Sequence, residues 1–423
     1  MIVLKGGRII DATGERVADV LIDDDGRIAA IDADLSAGRV IDAGGCVIAP
    51  GLVDLHTHLR EPGREESETV ETGSRAAALG GFTAVVAMPN TDPAIDSAAV
   101  VRDVLELGRK ALCDVHAAGA ITVGRAGEQL APMAEMAALG VRLFTDDGNG
   151  VQDNRLMRRA LEYASGLGVT LAQHCEDESL SAGGHMHEGE WSSRLGIPGI
   201  PSEAEELMVM RDIALARLTG ARVHFQHLST DGAIAMVRAA KAGGLAVTAE
   251  AAPHHFTLTD ECCASYDPVF KVNPPLRTAV DVAAVKAGLR DGAVDAIATD
   301  HAPHAQELKE QTFDEAPPGM LGLETALALA MTELDIELAE ILALLSWQPA
   351  LIAGLSAQHG GPLEAGRPAN LCVIDPTATW IVEAAKLASR SRNTPYAGRT
   401  LIGRVRHTFL WGEPVVLEGE ATR

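Results

Sequence analysis

Apolar and polar positions change rhythm twice along the chain. Over residues 1–50, stretches such as ADVLIDDDGRIAAID alternate with the period of a strand buried on one face, and Asp25-Gly26 between two apolar runs marks a hairpin. The last stretch behaves alike: NLCVID and LIGRVRHTFLWGEPVV read as strands punctuated by Gly and Pro. Neither end supplies many strands alone. The pattern therefore predicts that residues 1–50 and 356–423 join into one small discontinuous β-sandwich domain, with 51–355 inserted in it.

Within 51–355, brief β-branched or apolar runs alternate with longer Ala- and Leu-rich segments of helical period. Eight such runs stand out: LVDLHTHL, FTAVVAMPN, DVHAAGAI, VRLFTDD, VTLAQHCE, VHFQHLS, AVTAEAAPHH and DAIATDHAPH. Helical stretches between them include SETVETGSRAAALG, SAAVVRDVLELGRKAL, NRLMRRALEYASGLG and EAEELMVMRDIALARLTG. Eight βα units in about 300 residues predict an α/β fold of (β/α)8 TIM-like barrel type. A doubly wound open sheet is the alternative, and continuous alternation over eight strands favours closure.

Composition narrows the function. Hydrophobic residues make up 47% and charged residues 22% of the 423, as in compact globular enzymes. A formal net charge of -24 argues against nucleic acid, whose binding draws on clustered Lys and Arg. No apolar run approaches the roughly 20 residues that span a bilayer, so a cytoplasmic protein is expected. The six cysteines are scattered without a C-x-x-C pair, which predicts reduced thiols and no cysteine-based metal site.

Most of the eight runs end in a polar, metal-competent residue: His56 and His58, Asn90, Asp146 and Asp147, His174, His227, Asp300. In a barrel all strand C-termini lie on one face, so these residues would converge there. In His56-Thr57-His58 the two imidazoles share a face of the strand and could hold one ion, although an H-x-H pair alone is often two satisfied polar residues. With His174, His227 and Asp300 the set exceeds the needs of one tetrahedral ion, which points to two divalent metals, zinc first by ligand type. Paired cations need a bridging anion, in many such enzymes a carboxylated lysine on the fourth strand. No lysine occurs between Lys110 and Lys241, and the fourth run ends in Asp146-Asp147. Strand ends are uncertain by a residue or two, so periodicity leaves open which acid would bridge.

G-x-S-x-G, P-loop and G-x-G-x-x-G motifs are all lacking, which leaves a metal-activated water as the main nucleophile candidate. His116 reads as packed or hydrogen-bonded, His224 and Cys175 as core, His254-His255 as structural or supporting, and His185 and His187 as features of the Gly-rich loop SAGGHMHEGEW.

Seven segments together resemble dihydroorotase of the amidohydrolase superfamily: DLHTHLREPG (54–63), AMPNT (87–91), FTDDG (144–148), QHCED (173–177), QHLST (226–230), KVNPPLR (271–277) and ATDHAPH (298–304). The resemblance is to the class associated with aspartate transcarbamoylase and spans nearly the whole chain. It implies reversible cyclisation of N-carbamoyl-L-aspartate to L-dihydroorotate, in de novo pyrimidine (UMP) biosynthesis. It further implies two zinc ions, with His56 and His58 on the first, His174 and His227 on the second and Asp147 bridging. Asp300 would ligate the first zinc and act as general acid/base. Arg60 and Asn90 match positions that bind the substrate carboxylate; Asn273 and His304 match further substrate contacts, with His58 also at the substrate. Pro318 and Gly319, in APPGMLGLE, match a backbone contact at the end of a loop over the site. Aspartate transcarbamoylase as partner and a homo-oligomer, a dimer, are implied likewise.

Two rivals follow. Another cyclic amidase, such as a hydantoinase or allantoinase, typically carries the bridging lysine missing here. A catalytically inactive paralogue serving as scaffold for aspartate transcarbamoylase would lack metal ligands, whereas every matched ligand position here is filled. For Arg60 the competing reading is a salt bridge with Glu61 or Asp54. The charged stretch HAQELKEQTFDEAPPG (304–319) has the make-up of a mobile lid.

Overall fold

The computed structural model describes residues 1–423 and shows a mixed α/β chain. Each of the eight apolar runs contains a strand, and all pair in parallel. Leu52–Thr57, Phe82–Ala87 and Asp114–Ala117 form one sheet. Leu143–Phe144, Thr170–Gln173, Arg222–Phe225, Val247–Ala251 and Ala296–Ile297 form a second. Single parallel bridges, Gly119↔Phe144 and Thr57↔His301, link the two sheets at both of their edges.

The intervening helices follow the sequence signals. Asn154–Leu167 starts at Asp153, whose carboxylate accepts the Leu156 amide, and stops at Gly168 in the left-handed conformation, where a Cβ would be strained. It buries Met157, Ala160, Leu161 and Ala164, spaced three and four apart on one face. Val70–Leu79, Ala98–Gly108 and Glu203–Thr219 occupy the other segments of helical period. Outward strand residues such as Val85, Leu171 and Val223 pack with Val104, Leu161 and Ile234 of the helices in one large apolar cluster. Their neighbours Val86 and Ala172 belong to a separate cluster with Leu55, Ala118, Leu143 and Ala296. Strand side chains alternate between faces, so Leu52–Thr57, Phe82–Ala87 and Thr170–Gln173 each serve both cores.

Both chain ends meet in one nine-stranded sheet. Val47–Pro50 runs antiparallel to Leu371–Ile381, with Leu371↔Pro50 through Ile374↔Val47 in register. The Asp25-Gly26 hairpin is present between Gly14–Ile22 and Ile28–Asp32. Gly26 sits there at φ +75°, and a Cβ would lie 2.0 Å from the Trp411 carbonyl oxygen. The turn can therefore pack on the C-terminal hairpin only as glycine.

One stretch departs from expectation. SAGGHMHEGEW is not a plain loop: Met186–His187 pairs with Gly199–Ile200, and Glu190–Leu195 is helical. Two-residue strands are too short for any hydrophobic period to register. All six cysteines are free, five of them buried, and no helix is long and apolar enough to cross a membrane.

Candidate metal and substrate site

The loop ends of the strands gather four histidines around one carboxylate. Asp147 Oδ1 lies 3.2 Å from His56 Nε2, 3.7 Å from His174 Nδ1 and 3.8 Å from His227 Nε2, and Oδ2 lies 3.6 Å from His58 Nε2. Asp300 Oδ1 stands 3.2 Å from His58 Nε2 and 3.5 Å from His56 Nε2. All six residues are buried. The histidine pair at 56 and 58 shares a face, as the strand period requires.

Each imidazole of that pair is oriented from behind. His56 Nδ1 is 2.8 Å from Glu250 Oε1, and His58 Nδ1 donates to Asn90 Oδ1 at 2.8 Å. Both Nε2 atoms thereby face the carboxylates, that of His58 within hydrogen-bond distance of Asp300 Oδ1 at 3.2 Å. His56 Nε2 and His227 Nδ1 are buried without a hydrogen bond, and His174 Nδ1 and His227 Nε2 face each other at 2.9 Å. Orphaned ring nitrogens beside two carboxylates fit divalent cations better than they fit a protein-only network. Zinc is in keeping with this nitrogen and oxygen set.

Burial opposes charge on Asp147, yet His56, His174 and His227 hold its carboxyl well below the usual carboxylate range. Asp300 is likewise held down against burial, by His56 and His58. Burial disfavours an imidazolium at His56, and the fields of Asp147 and Asp300 outweigh it. The cluster is thus built to keep two carboxylates ionised beside positive charge. His227 and Asp300 also hold positive φ, 33° and 46°, as does Arg60 at 62°, strain that side chains other than glycine bear only where the surroundings impose it.

A cavity of about 230 Å³ opens above these groups. Its wall includes His58, Arg60, Asn90, Asp147, His174, His227, Asn273, Asp300, His304, Pro318 and Gly319, while fully buried His56 lies beneath. Arg60 forms no salt bridge with Glu61 or Asp54: Nε donates to the Pro303 carbonyl at 3.1 Å, and an NH2 nitrogen lies 3.5 Å from His304 Nε2. Glu61 instead accepts the Val70 amide, and Asp54 accepts from Thr299 and Thr57. Burial and the Arg64 charge draw Arg60 down to about 10, still a cation at neutral pH. A buried guanidinium without a carboxylate is a ready anion site. Asn273 Oδ1 is buried without a partner beside it, and His304 Nε2 donates to the Pro318 carbonyl at 2.8 Å.

The 304–319 segment is strapped down over this cavity. Lys309 Nζ donates to the Pro317 and Gly319 carbonyls at 2.9 and 3.0 Å, and Lys271 Nζ to the Asp314 carbonyl at 2.9 Å.

Asp146 is neither a solvated turn nor part of the cluster. Fully buried, it accepts the Ile121 and Thr122 amides at 2.8 and 3.0 Å and the Thr122 hydroxyl. Glu250 is the site residue that the sequence reading missed, a lone acid in an alanine-rich strand. Its second oxygen is 2.9 Å from His224 Nε2, so the core histidine braces the site. Burial raises and the two histidines lower the Glu250 pKa, to about 2. His255 bonds the Pro274 carbonyl, and His254 Nε2 comes to 3.9 Å from Asp300.

Imidazoles and ionised carboxylates at the loop ends of parallel strands, below a wall that holds a guanidinium without a carboxylate partner, are in keeping with a class: a hydrolase arranged around divalent metal. The family model described as dihydro-orotase-like matches residues 45–233. The chain is 49% identical to the dihydroorotase of Pelotomaculum thermopropionicum, over 98% of both chains, and 51% identical to that of Mycobacterium tuberculosis, over 96% of both. It belongs to the dihydroorotase family of cyclic amide hydrolases. Among solved structures it is similar to the L-hydantoinase (dihydropyrimidinase) of Arthrobacter aurescens, with a TM-score of 0.89 and 25% identity over 100% of this chain and 97% of that one.

Proposed function

We propose that this member of the family interconverts N-carbamoyl-L-aspartate and L-dihydroorotate in pyrimidine biosynthesis, with two zinc ions and Asp300 as general acid/base. One observation carries the reading: Asp147 reaches ring nitrogens of four histidines within 3.8 Å, in a cavity whose wall holds an arginine free of any carboxylate. His56, His58 and Asp300 would hold the first ion, His174 and His227 the second, with Asp147 between them. Zinc bound there would lower the pKa of a water toward about 7 and polarise the ring carbonyl.

The remaining chemistry belongs to the chain. Arg60 offers a planar fork for the substrate carboxylate, and Asn90 Nδ2, now 3.3 Å from Asp147 Oδ2, would share that grip. Asn273, with Oδ1 unpartnered, and His304 would meet the ring or ureido polar atoms, and the Pro318–Gly319 backbone closes the wall. In hydrolysis, Asp300 takes the proton of the attacking water at its carboxylate and delivers it to the departing amide nitrogen. In cyclisation the same oxygen removes a proton from the ureido nitrogen and passes it to the departing oxygen.

The same proposal extends to architecture and setting. The two edge bridges and the inner cluster that draws residues from five of the eight strands support a closed (β/α)8 barrel over 51–355. Leu4, Ile22, Ile48, Val373 and Phe409, from both chain ends, share one core, which supports a composite β-sandwich of 1–50 and 356–423 folded over it. Six unpaired thiols support a reducing, cytoplasmic setting. Aspartate transcarbamoylase as partner and a homodimer rest on the family resemblance, and co-sedimentation tests both.

A substrate panel with and without chelator tests the activity. Carbamoyl aspartate cyclised by the metal-loaded protein and spared after chelation is the expected result. Preference for hydantoin or allantoin would favour the other cyclic amidases. Inertness together with transcarbamoylase binding would favour the scaffold.

A further inference from the structure

We propose that Asp114, His116 and His359 form another divalent-cation site, at the opposite end of the strands from the catalytic cavity and independent of the catalytic reading. A carboxylate oxygen of Asp114 and one ring nitrogen from each histidine lie within 4.8 Å of one another. Asp114 opens the strand Asp114–Ala117, whereas the catalytic ligands lie at the last residues of strands or just beyond them. A cation here would therefore be held by a different face of the molecule.

Three features make the cluster more than a packed polar group. His116 Nε2 is buried and has no hydrogen-bond partner, so no group in the chain answers it. Burial, with the neighbouring His359, lowers His116 to about 4, so the ring is neutral and able to ligate at neutral pH. His359 is also buried, with Nε2 2.9 Å from Asp114 Oδ2 and Nδ1 3.0 Å from the Thr83 hydroxyl. A hydroxyl can donate or accept, so the His359 proton can move to Nδ1 and free Nε2 for a metal without stranding Thr83.

The carboxylate is aimed as well. Trp411 Nε1 donates to Asp114 Oδ2 at 2.9 Å and to Oδ1 at 3.2 Å. The Asp114 side chain keeps 28% of its surface exposed, which leaves an entry path and room for a water as fourth ligand. Two imidazoles and one carboxylate select zinc, cobalt or nickel over magnesium and calcium, which prefer all-oxygen cages. Bound there, the ion would fasten a strand of the inserted region to the segment around His359, with Trp411 of the C-terminal sheet seated on the carboxylate.

The test uses the full-length, metal-loaded protein. After dialysis against zinc, the wild type should hold one equivalent more per chain than His116→Ala, with dihydroorotate turnover equal in the two. Added Co2+ should quench the emission that distinguishes the wild type from Trp411→Phe, and this quenching should vanish in His116→Ala and in Asp114→Asn. Equal zinc content in wild type and His116→Ala would overturn the proposal. So would the absence of cobalt quenching of Trp411 in the wild type, a measurement that stands even where a variant fails to fold.

Discussion

Asp11, in the end sheet, and Asp147, at the cavity, are both buried, yet their surroundings differ in kind. Asp11 receives the Thr13 and Leu363 amides at 2.8 and 2.9 Å, the Thr13 hydroxyl, and an Arg16 NH2 nitrogen at 3.0 Å. Its lone pairs are answered by backbone amides, a hydroxyl and a guanidinium, none of them a metal ligand here. Asp147 receives one weak contact from Asn90 at 3.3 Å and otherwise looks onto imidazole nitrogens. A buried carboxylate answered by backbone amides ties the fold together; one surrounded by groups that can also bind a cation is held ready for a ligand. Asp146 makes the contrast sharper, because it lies next to Asp147 in sequence and follows the Asp11 pattern.

The largest effect expected from breaking this contrast is at Asp147. Asp147→Asn keeps the shape and removes the charge that four histidines face. Bound metal, read by elemental analysis, should fall by one equivalent, and kcat should drop on the order of 10²–10⁴-fold, the range of a lost proton-transfer or metal-positioning group.

Arg60→Lys comes next. A lysine keeps the positive charge but not the fork, so the loss is that of one charge-assisted hydrogen bond, about 1.5–3 kcal/mol. That corresponds to roughly a 10–150-fold fall in kcat/KM for carbamoyl aspartate, carried mainly by KM, with zinc content unchanged. A fall in kcat alone would mean that Arg60 orients the catalytic groups and does not grip the substrate.

Asp146→Ala inverts the signature. It strands the Ile121 and Thr122 amides in the interior, at a cost of about 1–3 kcal/mol, visible as a lower denaturation midpoint. Metal content and activity per folded molecule should stay close to wild type. Loss of an equivalent of zinc here, with stability preserved, would assign the bridging role to the wrong acid.

These differences mark what the sequence could reveal. The eight strands were legible because β-branched runs alternate with Ala- and Leu-rich helices, and the candidate ligands because they sit where those runs end. Leu143–Phe144 and Ala296–Ile297 are only two residues long, shorter than the apolar runs that contain them. The burial of Asp146 was not legible, since its donors, the amides of 121 and 122 and the Thr122 hydroxyl, lie more than twenty residues away in sequence with no pattern that pairs them with it. Glu250 was missed for a related reason: its meaning lies in His56 and His224, which reach it from two other strands. Arg60 shows the limit of neighbour-based reading, because Glu61 and Asp54 are near it in sequence but already occupied elsewhere.

The smallest effect, and the one that separates the two uses of aspartate by pH, concerns Asp11. Burial raises its pKa, but the Arg16, Thr13 and Leu363 hydrogen bonds outweigh that and leave it below the ordinary carboxylate value. A folded pKa below the unfolded one contributes stability that is fully present above the unfolded value, about 3.9, and is lost as pH falls through the folded value. Asp11→Asn should therefore lower the denaturation midpoint at pH 7, and the gap from wild type should close progressively below about pH 4. Solvent near the partly exposed Arg16 screens that pair, so the gap stays modest. Activity per folded molecule should be the same in both proteins throughout, because nothing that Asp11 touches reaches the cavity. A gap that persisted at low pH would place the contribution of Asp11 in its packing and not in its charge.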